Sequence, residues 1–170
     1  MQRVLKRLDR VHDKLLQTVR PLDLQTFATR PSENEWSVGE IVQHLFLVEQ
    51  RVLKDLEAGI QRDPRRVGWM RRLIPTSIVS SRLLRVKAPK AMNPLSAPEK
   101  EEVLQNLEGV RSKLKEVCTT HGAGRLRNVA FKHPFLGEID GVATVSFVGY
   151  HEQRHFKQIR EVLKKLKAIH

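Results

Sequence analysis

The chain has 170 residues, 40% apolar and 5% aromatic, which suits one domain (1–170) whose core is built mainly from Leu, Val and Ile. A lone Cys118 excludes an internal disulfide and fits a reducing compartment. With no signal-peptide pattern and no apolar run near the roughly 20 residues of a membrane span, a cytoplasmic protein without a span is expected.

Lys and Arg number 31 against 19 acids, a net charge of +12. The excess is concentrated in residues 62–90, where nine basic residues face one acid. Such a segment suits an anionic substrate, nucleic acid or an anionic membrane surface, and equally a solvated Arg-rich surface. Arg65, Arg66, Arg71 and Arg72 are its candidate anion-binding residues.

In chain order, Val4, Leu8, Val11, Leu15 and Val19 recur at steps of three and four, the buried stripe of an amphipathic first helix that Pro21 ends. Ser37-Val38-Gly39-Glu40 is a capping box, and Ile41, His44, Val48, Val52 and Leu56 continue from it as a second stripe. The long connection 61–95 carries a short helical candidate, Thr76–Val86, between Pro75 and Pro89. Ser96-Ala97-Pro98-Glu99 reads as a second capping box, opening a third helix with Val103, Leu107, Val110, Leu114 and Val117. His121-Gly122-Ala123-Gly124 is expected in a loop, and without a preceding strand it is no phosphate cradle. Asp140 caps a fourth helix with Val148, His151, His155, Ile159, Val162, Leu166 and Ile169 on one face. Four such helices predict an all-α four-helix bundle. The long connection between the second and third lets those two run parallel.

The histidines carry the chemistry. Residues four apart on a helix lie about 40° apart around its axis and roughly 6 Å along it, so His151 and His155 can face one object. Both share their stripe with Val148 and Ile159, and His44 falls between Ile41 and Val48 on another helix. Each imidazole left unpaired in an apolar core costs about 1–3 kcal/mol. One metal ion satisfies three lone pairs together, and this pattern favours a metal over three separately satisfied core histidines. His12, His121, His133 and His170 fall outside the pattern, and His133-Pro134 is expected to be a turn element.

The stretch Trp36-Ser37-Val38-Gly39-Glu40-Ile41-Val42-Gln43-His44-Leu45 resembles the DinB/YfiT-like superfamily of metalloenzymes. So does His133-Pro134-Phe135-Leu136-Gly137, followed by His151-Glu152-Gln153-Arg154-His155-Phe156-Lys157-Gln158-Ile159. The resemblance covers nearly the whole chain. It implies a left-handed up-down-down-up bundle, one divalent metal held by His44, His151 and His155, and a homodimer. Characterised members are thiol-dependent, namely bacillithiol transferases and a mycothiol-dependent maleylpyruvate isomerase. The expected function is therefore transfer of a low-molecular-weight thiol to an electrophilic small molecule.

Three protein nitrogens leave a coordination position open, as catalytic sites do. Water there could attack a carbonyl and a thiol would be held as thiolate, so metal-hydroxide hydrolysis is the rival reaction. Imidazole ligands suit Zn, Ni, Fe or Cu. Glu152 and Gln158 are candidate partners behind the ligands, with Glu152 equally suited to pairing between helices. A nucleic-acid-binding module built on residues 62–90 lacks interleaved aromatics and any helix-turn-helix signal. Steep salt dependence of binding would mark it.

Overall fold

The computed structural model describes residues 1–68, 94, 98–133 and 136–169. Its elements are α1 (Gln2–Val19), α2 (Leu24–Ala28), α3 (Val38–Ile60), α4 (Lys100–Leu126), β1 (Ala130–His133), β2 (Gly137–Asp140) and α5 (Gly141–Ile169). The four long helices α1, α3, α4 and α5 form a four-helix bundle. None of the described helices is long and apolar enough to cross a membrane.

Pairings between helices give the directions. Arg111 meets Glu49 and Arg125 meets the Ile60 carbonyl, so residue numbers rise together and α3 and α4 run parallel. Lys115 pairs with Asp9, while the Lys100 ammonium donates to the carbonyls of Arg20 and Leu22, which makes α1 and α4 antiparallel. His44 faces His151 and Leu56 faces Gly141, so α3 and α5 are antiparallel too. The topology is up-down-down-up. In sequence, 39 residues (61–99) separate the two parallel helices, and a parallel pair requires a long connection.

The stripes become the core. Leu8, Leu15 and Val19 of α1, Ile41 and Leu56 of α3, Leu107 and Leu114 of α4, and Val145 and Ile159 of α5 are fully buried. Each contributes about 1.5–3 kcal/mol by leaving water. The Lys100 ammonium also satisfies carbonyls at the C-terminal end of α1, the end where a cation suits the helix dipole.

The connections depart from expectation in three places. Helix α4 begins at Lys100, not after Ser96, because extended Glu99 (φ −66°, ψ 131°) takes the Glu102 amide at 2.9 Å and acts as N-cap. Ser96 lies outside the described residues, as does the helical candidate Thr76–Val86. Residues 121–124 belong to α4, not to a loop. Gly122, at φ 65° and ψ 173°, kinks the helix there, a conformation for which glycine has no steric cost. Finally, the connection into α5 is an antiparallel hairpin, with Phe131 opposite Ile139 and Lys132 opposite Glu138. Its His133 Nδ1 accepts the Leu136 amide at 3.1 Å, closing the turn. Asp140 ends β2 and caps α5 by accepting the Ala143 amide at 2.9 Å.

Candidate metal centre

Helix α3 carries His44 from a firmly anchored end. Ser37 Oγ accepts the Glu40 amide at 3.2 Å, and Glu40 Oε2 accepts the Ser37 amide at 2.8 Å, the reciprocal capping box. Arg30 adds two hydrogen bonds to the same buried carboxylate. Burial alone would raise the Glu40 pKa, but the Arg30 guanidinium and the Ser37 amide outweigh it and hold the carboxyl below its ordinary value.

Opposite, α5 presents His151 and His155 one turn apart. The three imidazoles converge, and one nitrogen from each lies within 4.8 Å of the others. His44 Nε2 and His151 Nε2 are 3.3 Å apart. Two nitrogens bound to one tetrahedral ion at about 2.0–2.1 Å stand about 3.3–3.4 Å apart, so this pair already has the spacing of a shared ion. Trp36 packs against His44 with centroids 5.1 Å apart, and Phe147 against His151 at 5.3 Å. These apolar rings limit the rotation of two of the imidazoles.

Protonation follows from the same geometry. Desolvation, then the neighbouring His155 and His44, hold the His151 pKa well below its ordinary value, so the ring is neutral at pH 7 with a lone pair to give. At His155 the Nδ1 lies 2.9 Å from Gln158 Oε1. An amide oxygen only accepts, so Nδ1–H is the donor in this contact, which leaves Nε2 as the nitrogen to take an ion. An acceptor behind a ligating imidazole is the usual means of fixing tautomer and ring orientation at metal sites. The donor set, its spacing and the neutral His151 are compatible with one divalent ion.

The other candidate residues fall into place around this cluster. Glu152 turns away from it into the bundle, where Oε1 pairs with His12 Nδ1 and Oε2 with Arg111, each at 2.9 Å. Arg65 pairs with Glu138 at 2.8 Å, and Arg66 Nε donates to Asn128 Oδ1 at 3.0 Å. Both arginines are thereby tied to the segment leading through the hairpin. With Arg62, Lys132 and His133, Arg65 lines a groove of about 680 Å3. Arg71 and Arg72 lie outside the described residues. His133 touches Phe147 at 4.5 Å, which places that side of the groove one aromatic ring from His151.

A family model, the DinB superfamily, matches residues 7–159. The chain belongs to the DinB superfamily. The chain is also 25% identical over 138 residues to the uncharacterized protein YuaE of Bacillus subtilis (strain 168), covering 81% of this chain and 83% of the relative. Among solved structures it is similar to TT2238, described as a four-helix bundle protein, at TM-score 0.65 and 24% identity over 94% of this chain and 98% of that one. It is also similar to YfiT of Bacillus subtilis at TM-score 0.68 and 15% identity, covering 98% of this chain and 87% of that one. YfiT is described as "a probable metal-dependent hydrolase with an unusual four-helix bundle topology". At these identities the two structures establish the shared fold.

Proposed function

We propose that this DinB-superfamily protein is a divalent-metal-dependent enzyme that joins a low-molecular-weight thiol to an electrophilic small molecule. The observation that carries the reading is the convergence of His44, His151 and His155 through one nitrogen each, with His151 neutral and His155 oriented by Gln158. Zn, Ni or Fe suits these nitrogens. When bound, such an ion supplies Lewis acidity, lowering the pKa of a thiol or water that joins it.

The chain's own residues do the rest. His44, from α3, and the His151/His155 pair, from α5, approach from opposite helices and leave the remaining directions to substrate. Histidines bind a metal as neutral imidazoles, so a bound ion's charge would stay undiminished and favour an anionic reactant. Trp36 and Phe147 flank the centre with apolar surface, which lowers the local polarity and strengthens the electrostatics beside it. Lys132, in the groove beside His133, is the candidate to hold an acidic group on the substrate, since Arg65 there already pairs with Glu138.

Hydrolysis is the second reading, favoured by the description of YfiT. One experiment separates the two. Protein purified without a His tag is analysed for metal, then screened with and without cellular thiols against electrophiles, esters and amides. Thiol transfer predicts thiol and electrophile consumed one for one, and a sulfur-to-metal charge-transfer band when thiol is added to the cobalt-substituted protein. Cleavage of esters or amides without thiol, and no such band, would replace transfer with hydrolysis. Metal at one ion per chain that survives His151→Ala would overturn the ligand assignment itself.

A further inference from the structure

Deep in the bundle, away from the three histidines, a second polar cluster involves every long helix. Arg111 of α4 donates from Nε to Glu49 Oε1 at 2.6 Å and from NH2 to Glu49 Oε2 at 2.9 Å, a two-pronged grip on α3. The same NH2 reaches Glu152 Oε2 of α5 at 2.9 Å, and NH1 reaches the Leu8 carbonyl of α1 at 3.2 Å. The other Glu152 oxygen takes His12 Nδ1 of α1 at 2.9 Å. Glu49, Arg111 and Glu152 are each at most 4% exposed, and His12 is buried too.

Stability does not account for such a cluster. Charges taken out of water lose several kcal/mol of solvation each, and well-packed apolar residues in place of a buried ion triad are commonly as stable or more so. Burial pushes the Glu49 pKa up, only partly offset by Arg111, the signature of that cost. What a guanidinium fork offers and an apolar contact does not is direction. Hydrophobic packing tolerates a slide or a rotation, whereas a two-pronged pair fixes both.

The elements it fixes are those that carry the histidines. Glu49 is five residues beyond His44, about 7.5 Å along α3, and Glu152 lies between His151 and His155. Helix α4 contributes none of the three histidines, yet its Arg111 ties the two helices that do. We propose that Arg111, gripping Glu49 and Glu152, is the positioning residue of the metal centre: a buried clamp that sets the rotation and height of α5 against α3, so that His151 and His155 meet His44. The inference rests on the metal-centre reading above. Metal sites need their ligands held within about 0.5 Å, tighter than interchangeable Leu and Val contacts enforce.

The test replaces the whole cluster by apolar residues, His12→Leu, Glu49→Leu, Arg111→Met and Glu152→Leu together, leaving every histidine of the centre in place. Thermal unfolding, a cobalt(II) titration and the visible ligand-field spectrum are compared with the parent protein. The clamp predicts a midpoint at or above the parent's, with cobalt bound at least about 10-fold more weakly and a changed ligand-field band. Unchanged cobalt affinity and spectrum in the folded variant overturn it.

Should the fourfold variant fail to fold, Arg111→Lys keeps the charge but cannot reproduce the two-pronged guanidinium grip on Glu49. Leu114→Ala, one turn along α4, damages the core without removing any of the clamp's hydrogen bonds. Weaker cobalt binding by Arg111→Lys but not by an equally destabilised Leu114→Ala supports the clamp. Losses that simply track stability in both overturn it. A parent protein that binds no cobalt overturns the metal reading and the clamp together, whereas parent binding matched by the fourfold variant removes the clamp alone.

Discussion

Replacing Gln158 by leucine keeps the size of the side chain and deletes the acceptor behind His155. In the structure that acceptor is Gln158 Oε1, 2.9 Å from Nδ1. Two things are lost. The imidazole no longer has its proton pinned to Nδ1, so part of the population places it on Nε2 and has no lone pair to offer the ion. The ring also loses a hydrogen bond that restricts its rotation. Losing such a partner typically costs 10–100-fold in metal affinity, about 1.4–2.7 kcal/mol. Gln158 is only half-buried, so the bundle itself should lose less than about 1 kcal/mol. Competition between protein and a chromophoric chelator for zinc or cobalt measures the affinity, and urea unfolding of the metal-free protein measures the stability. Gln158→Glu, a stronger acceptor, should bind metal at least as tightly as the parent. Parent-like affinity in Gln158→Leu would refute the argument that this contact prepares His155 for a metal.

Three further outcomes follow from separate features. Gly141→Ala should destabilise the protein by about 1–3 kcal/mol, since the added Cβ would stand 2.7 Å from the Leu126 backbone oxygen, which has little freedom to move; a gain in stability on denaturant unfolding would contradict the packing of α5 on α4. Burial lowers the His133 pKa, so between its folded value and the ordinary 6.5 the unfolded chain binds more protons. This contribution to stability is therefore full above about pH 6.5 and fades as pH falls, and His133→Gln should flatten the pH dependence of the urea midpoint below that point; identical profiles would count against it. Buried Cys118, its thiol pushed up to about 11 by desolvation and then by the Glu49 carboxylate, should resist iodoacetamide at pH 7.5 until the protein unfolds, and rapid labelling of native protein would contradict its place in the core.

Much of this bundle is determined within single segments. Steps of three and four place Leu8, Leu15 and Val19, or Leu107 and Leu114, on one helical face whatever the rest of the chain does. Ser37 with Glu40, and Asp140, hold their caps through hydrogen bonds spanning three residues. The i, i+4 spacing likewise puts His151 and His155 on one face, and the stripe Ile41-His44-Val48 turns His44 inward on another helix, both from sequence alone. Local signals mislead where two are nearly equivalent. Ser96 and Glu99 each precede an acid by three residues, and the backbone selects Glu99. The β1–β2 strands are four residues each, too short for alternation to register, and the kink at Gly122 depends on a backbone angle that no pattern encodes.

The buried clamp shows where sequence stops. Its members lie in the stripes, in Leu104-Leu107-Arg111-Leu114-Cys118, in Leu45-Glu49-Leu53-Leu56, in Val148-Glu152-His155-Ile159 and in Leu8-His12-Leu15-Val19, so charge intruding on an apolar period was a readable sign. Which carboxylate meets which guanidinium was not. Period fixes a side chain's direction around its own helix, but partnership depends on the heights and directions of four helices. Those are set by the up-down-down-up packing, through contacts such as Arg111 with Glu49, 62 residues apart, and His12 with Glu152, 140 apart. The spacing of His44 from His151 belongs to the same class, because it measures the gap between two helices whose separation only the packed core decides.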